Sequence, residues 1–148
     1  MSSDADLQRI VDEQAIIDVA IRYCWALDTR NWGELHTVFV DDATATLGEA
    51  RDLVGIDAIA ARCREALEPL DASQHMVSTH QVAIDGDVAT HRCYIHAQHH
   101  RRGLREGKNY VVGGRYDDRL VRTPEGWRIA ERTLTVMWTD GNRRVLVA

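Results

Sequence analysis

A carboxylate inside an apolar helical stripe is the first residue of this sequence that could do chemistry. From Leu7 to Asp28, Ile10, Ile17, Ala20, Ile21, Cys24 and Leu27 fall in one wide stripe at roughly 100° per residue. Asp28 stands in line with Ile17 and Ile21 and beside Cys24. A carboxylate there needs a partner, because burying it unpaired is costly. The alternative is a helix-end aspartate capping the turn before Trp32, and Glu13 also lands in the stripe, so the wheel leaves both open. Arg132 poses the same question from a strand, alternating with Ala130, Leu134, Val136 and Trp138. It should meet an acid or an anionic ligand, and a salt bridge to Glu13 or Asp42 would serve as well as a ligand.

The chain has seven histidines. His36, His99 and His100 are expected at the surface, and His80, His91 and His96 lie on strands with undetermined facing. His75 stands at a strand entry. His96, His99 and His100 lie close in sequence but lack the ligand set of a metal site, so no metal is expected. Cys24, Cys63 and Cys93 are odd in number and widely spaced, which points to buried free thiols rather than disulfides or a zinc site.

These residues must be positioned by helices first and strands afterwards. After the Leu7–Asp28 helix, Asn31 with Glu34 forms a capping-box pattern for a short helix carrying Leu35, Val38 and Phe39. A third helix runs from Gly55 to Leu67 and ends before Pro69. Met76–Ile84, Val88–Gln98, Tyr110–Arg122 and Trp127–Trp138 then read as strands rich in Val, Ile, Thr and aromatics. Asp85-Gly86, the Arg/Gly segment 101–108 and Thr123–Gly126 mark hairpins. Shorter strands fit Ala43–Leu47 and Arg51–Val54. The order implies an α+β domain, its curved, mainly antiparallel sheet wrapped on the helices.

The length of 148 residues suits one domain spanning 1–148, and 45% apolar with 28% charged residues is globular composition. A net charge of −5 argues against nucleic-acid binding, and the basic residues Arg101, Arg102, Arg105 and Lys108 read as a solvated hairpin tip. The start has no signal-peptide pattern and no run approaches a membrane span, so a cytoplasmic protein without membrane contact is expected.

Five segments, Tyr23-Cys-Trp-Ala-Leu-Asp28, Val40-Asp-Asp-Ala43, Gln74-His75-Met-Val-Ser-Thr-His80, Asp85-Gly-Asp-Val-Ala89 and Gly114-Arg-Tyr-Asp-Asp-Arg-Leu-Val-Arg-Thr…Gly126-Trp-Arg-Ile-Ala-Glu-Arg132, occur in the order and spacing of SnoaL-like domains. The chain therefore resembles that branch of the cone-shaped nuclear transport factor 2-like fold, which implies a closed pocket between helices and sheet. Members include polyketide cyclases, scytalone dehydratase, bile-acid 7α-dehydratase and hexachlorocyclohexane dehydrochlorinase. The resemblance implies that Asp28 orients a catalytic base, His75. Tyr23 matches a tyrosine of the bile-acid dehydratase where the dehydrochlorinase has lysine, so dehalogenation is disfavoured; five residues before Asp28 it lies about 140° round the helix, and a core aromatic is its other reading. Arg132 matches a pocket arginine, and His96 is the nearest counterpart of a scytalone dehydratase histidine.

The expectation is a cofactor-independent lyase or isomerase acting on a small hydrophobic cyclic molecule, with His75, Asp28 and Tyr23 catalytic and Arg132, His96, Tyr94 and Trp138 binding substrate. The alternative is a binding protein, or a scaffold subunit like the β chains of ring-hydroxylating dioxygenases. Tyr94 and Met137 on the open sheet face imply a homodimer or larger assembly.

Overall fold

The computed structural model describes residues 3–147. Helix α1, Asp4–Asp28, starts earlier than the apolar periodicity does, because Ser3 and Asp6 form a capping box. Ser3 Oγ accepts from the Asp6 N–H at 3.2 Å, and the Asp6 carboxylate accepts from Ser3. A 3-10 turn follows at Trp32–Thr37, and its Asn31 makes no side-chain cap, contrary to the capping-box pattern at Asn31 and Glu34. Glu34 accepts from the Thr37 hydroxyl instead.

Strands β1 (Phe39–Leu47) and β2 (Ala50–Val54) precede helix α2 (Ile56–Leu67), which Pro69 follows. The rest of the chain is four long strands, β3 (Ala72–Asp85), β4 (Val88–His100), β5 (Asn109–Thr123) and β6 (Gly126–Gly141), each longer than its apolar pattern. They form one six-stranded sheet in the order β2-β1-β6-β5-β4-β3. All pairs are antiparallel except β1 with β6. The sheet is curved and unclosed, leaving β3 a free edge beside α1. Ile16, Val19 and Leu27 of α1, Ile59 and Cys63 of α2, and Ile95, Leu120 and Ile129 of the sheet share one core.

Two bulges in β6 decide which side chains face that core. Arg119 pairs with Glu131 but Leu120 pairs with Ile129, so Ala130 is the extra residue. Gly113 pairs with Trp138 but Gly114 with Val136, which leaves Met137 as a second extra. Each bulge reverses the facing of the following residues. Arg132 is thereby buried, whereas Trp138 turns to the outer face and lies over Gly113, where an added Cβ would come within 2.2 Å of its ring.

The helical layer is tied to the β5–β6 hairpin through Asp12, whose carboxylate receives Arg122 Nη1 at 2.7 Å, Arg122 Nη2 at 2.9 Å and Trp127 Nε1 at 3.1 Å. The Arg122 hydrogen bonds outweigh the opposing cost of burial and lower the Asp12 pKa to about 2. A depressed carboxylate contributes stability above its unfolded pKa and loses it as pH falls through the folded value. This group alone should therefore remove on the order of 2 kcal/mol between about pH 5 and pH 2. Urea melts across that range should show a shallower decline for Asp12→Asn than for wild type; equal slopes would reject this assignment.

Candidate active site

The end of α1 is built to present Asp28. The helix closes with Asn31 N–H on Ala26 O and Arg30 N–H on Leu27 O, and Arg30 takes a left-handed φ of 60°. This is a Schellman closure in which arginine occupies a position usually given to glycine. The Arg30 guanidinium donates to Leu27 O at 2.6 Å and to Ser73 Oγ at 2.8 Å, and Ser73 Oγ donates to Asp28 Oδ1 at 2.9 Å.

On the neighbouring edge strand, Ser73, His75 and Val77 alternate toward α1. His75 Nδ1 lies 2.6 Å from Asp28 Oδ1, and the His75 backbone N–H donates to Asp28 Oδ2 at 2.7 Å. The backbone bond uses a donor that the free edge of β3 offers to no other strand. Burial by itself would raise the Asp28 pKa, but the hydrogen bonds from His75 and Ser73 more than offset it and the net direction is down. The carboxylate is therefore ionised and accepts Nδ1–H, which leaves the lone pair on His75 Nε2. No hydrogen-bond partner of Nε2 occurs among the described residues.

The pair lines not the closed pocket that the resemblance implies but a half-open cleft of about 610 Å³ between α1 and the free β3 edge, walled by Ile21, Cys24, Trp25, Met76, Val77, Gln98 and His100. Its volume falls in the range of small-molecule sites. Trp25 gives its rim an aromatic face. Behind His75, the His99 ring packs edge-on at 5.7 Å between centres. Burial and the nearby His75 lower the His99 pKa to about 4, so it is neutral, and its Nδ1 donates to Tyr110 O at 3.0 Å.

With this geometry in place, residues 8–133 match the sequence profile of the SnoaL-like domain. The chain belongs to the SnoaL-like domain family. An uncharacterised protein of Mycobacterium tuberculosis H37Rv, Rv2910c, is 32% identical over 130 residues, covering 85% of this chain and 86% of the relative. The crystal structure of Kfla4162 from Kribbella flavida superposes with a TM-score of 0.87 at 26% identity, over 95% of this chain and 99% of that one. A hexachlorocyclohexane dehydrochlorinase, LinA type 2, gives a TM-score of 0.82 at 16% identity over 97% of both chains, a likeness of fold alone. The nuclear transport factor 2-like α+β fold read from the sequence is the one observed.

In this SnoaL-like chain the other residues expected around the substrate lie away from the cleft. Tyr23 is buried in the core, its hydroxyl 3.6 Å from Cys63 Sγ, with its ring against Phe39 and Tyr116. Arg132 is 1% exposed and pairs neither with Glu13 nor with Asp42. It donates through Nε and Nη2 to both oxygens of Asp118, directly opposite on β5, and its guanidinium stacks on Tyr116 and Tyr23. Tyr94 and His96 face outward because their neighbours Cys93, Ile95 and Ala97 face the core, and Trp138 joins them after the bulge at Met137. His99, expected at the surface, is instead buried: β4 runs on through His100, and the alternation of Ala89, His91, Cys93, Ile95 and Ala97 inward includes it.

Sequence reasoning missed Ser73, Arg30 and His99. Each was within reach of a period-two or helix-end argument. Ser73 shares a strand face with His75, His99 shares one with Ala97, and Arg30 follows the helix end by two residues.

Proposed function

We propose that the chain is a cofactor-independent lyase or isomerase in which His75, oriented by Asp28, removes a proton from a small hydrophobic cyclic substrate held in the α1–β3 cleft. The observation that carries this reading is the 2.6 Å contact between His75 Nδ1 and Asp28 Oδ1, with Nε2 left free at the cleft. Asp28 fixes the tautomer and stabilises the imidazolium formed when Nε2 accepts the proton. The electron pair released from the C–H or O–H bond then moves toward an adjacent carbonyl or leaving group. His75 can return the same proton to a second carbon, which makes isomerisation accessible with one base, or give it to a departing oxygen, which completes an elimination. Family membership beside dehydratases and dehydrochlorinases supports this class of chemistry.

The test is hydrogen exchange in D2O with a panel of cyclic ketones and β-hydroxy ketones, followed by mass spectrometry, for wild type and His75→Ala. Exchange or elimination that requires His75 supports the reading; equal rates in both proteins reject it. A binding-only role is the second reading. It is favoured by one observation: among the described residues lining the cleft, Asp28 and His75 are accompanied by no further carboxylate, lysine, arginine or tyrosine.

A homodimer and a cytoplasmic location belong to the same proposal. No described helix is long and apolar enough to cross a membrane. On the outer face of the sheet, Met76, His96, Gly113 and Trp138 form one transverse row, with Tyr94 in the next. Met76, Tyr94 and Trp138 are each about half exposed, an apolar patch suited to a second copy of this chain. Light scattering at micromolar concentration should give a dimer or larger species that Trp138→Glu dissociates; a wild-type monomer would reject the assembly.

A further inference from the structure

A second histidine cluster, separate from His75, sits where β3, β4 and β5 meet. Ser78 pairs with Tyr94 and Gln81 with Arg92, so Thr79 and His80 together oppose the single residue Cys93. Thr79 adopts φ 58°, a left-handed conformation that is costly for a β-branched residue. The bulge turns His80 toward the core, and its Nδ1 lies 2.9 Å from His91 Nε2. The ring centres are 5.2 Å apart with planes 22° from parallel, so the two imidazoles meet nearly end to end.

His91 is held from behind. Its Nδ1 lies 2.8 Å from Asp118 Oδ2, and both side chains are essentially inaccessible. Asp118 is fixed in turn by Arg132. An imidazole that donates Nδ1–H to an anchored carboxylate carries its lone pair on Nε2, the second-shell arrangement that supports metal-ligating histidines. Cys93, two residues along the same strand face, adds a sulfur, and the ligand atoms of His80, His91 and Cys93 all lie within 4.8 Å of one another.

We propose that His80 Nδ1, His91 Nε2 and Cys93 Sγ form a binding site for a thiophilic d10 metal ion, Cu(I) or Zn(II). Bonds of about 2.0–2.3 Å in trigonal or tetrahedral geometry put ligand atoms roughly 3.3–3.9 Å apart. The ion would take the place of the hydrogen between the two imidazoles: His80 gives up its Nδ1 proton and takes one up at Nε2, so both rings stay neutral, and their 2.9 Å contact opens slightly while the sulfur closes on the third side. Binding displaces the thiol proton to solvent and leaves a thiolate. Asp118 and Arg132 already cancel, so thiolate plus Cu(I) is neutral and thiolate plus Zn(II) adds one positive charge beside a buried guanidinium. Two imidazoles and a thiolate suit both ions. This site does not depend on the proposed activity of His75.

The test uses full-length protein, reduced and stripped with EDTA. One arm is titrated with zinc sulfate, and a second is titrated anaerobically with Cu(I) held by bicinchoninate. Metal content after desalting and the thermal midpoint are read in each. We expect one equivalent in at least one arm with a raised midpoint, and the responding arm identifies the ion. Cobalt(II) should give a thiolate charge-transfer band. Cys93→Ser and His80→Gln should each weaken binding by at least about 10–100-fold, the size seen for loss of a supporting group alone. His80 lies on the edge strand and is only partly buried, so its substitution keeps the test open if Cys93→Ser folds poorly. His75→Ala should leave binding unchanged. Reduced wild type that retains neither ion, or stoichiometric binding that survives both substitutions, would overturn the proposal.

Discussion

Asp118→Ala should cost about 3–5 kcal/mol, a large share of the roughly 5–15 kcal/mol that holds a domain of this kind folded. The reason is what it leaves behind. Arg132 is 1% exposed, packs its guanidinium over the rings of Tyr116 and Tyr23 at 3.9 and 4.5 Å, and donates both of its hydrogen bonds to Asp118. Its Nη1 already has no partner among the described residues. A guanidinium cannot shed its proton, so with Asp118 gone a full charge remains in the core, relieved only by two aromatic faces. Burial opposes ionisation of Asp118, but Arg132 outweighs it and keeps the carboxyl below its usual range, so the native state holds an ion pair. Removing both charges is a different matter. An Asp118→Leu/Arg132→Met double variant should lose much less than Asp118→Ala, because no ion is stranded. Urea melts of the two proteins measure this directly. If Asp118→Ala costs under about 1 kcal/mol, water reaches Arg132 and the pair is not the buried tie described above.

The partner of Arg132 also shows where the sequence stops being legible. An arginine among Leu and Val on a strand calls for an acid, and that much follows from residue types. Which acid it meets depends on register. Asp118 stands opposite Arg132 only because Ala130 is an extra residue in β6, and alanine gives no sign of a bulge. The same strand hides a second reversal at Met137, which carries Trp138 out of the concave face. Before β6 most of the pattern was sound, but the capping box expected at Asn31 and Glu34 is not made, and Phe39 begins β1 instead of closing a helix. The helices, the four long strands and their hairpins follow from period and turn chemistry, and β1 was legible as a short strand although its parallel pairing with β6 was not. The contact of Asp28 with His75 could be anticipated because a helix-end carboxylate in an apolar stripe needs a donor, and the family resemblance pointed to which one. Tyr23 was ambiguous by the same logic. Five residues before Asp28 on the helix, it faces well away from the carboxylate, and the structure gives it Cys63 and the core.

His75→Ala should abolish the proposed turnover, lowering it by about 10²–10⁴-fold, the contribution of one positioned general base. Asp28→Asn should cost a comparable factor while leaving the imidazole in place, and this makes it the more informative variant. An amide can still accept from the ring or from the His75 backbone, but it carries no charge to stabilise the imidazolium. Its NH2 group can also face Nδ1 and force the proton onto Nε2, removing the lone pair that faces the cleft. Ring ¹⁵N shifts report this without any substrate: wild-type His75 in its neutral form should carry its proton on Nδ1, and Asp28→Asn should shift the ring toward the Nε2–H tautomer. Ser73→Ala removes only the hydroxyl that links Arg30 to Asp28, so its effect should be smaller and of the same sign. A graded loss across Ser73→Ala, Asp28→Asn and His75→Ala, with the tautomer changing at Asp28→Asn, is the outcome expected of a base held by its carboxylate. Were turnover to persist in His75→Ala while Asp28→Asn lost only stability, the contact would be a tie between α1 and the edge of β3, and the cleft would be left with a binding role.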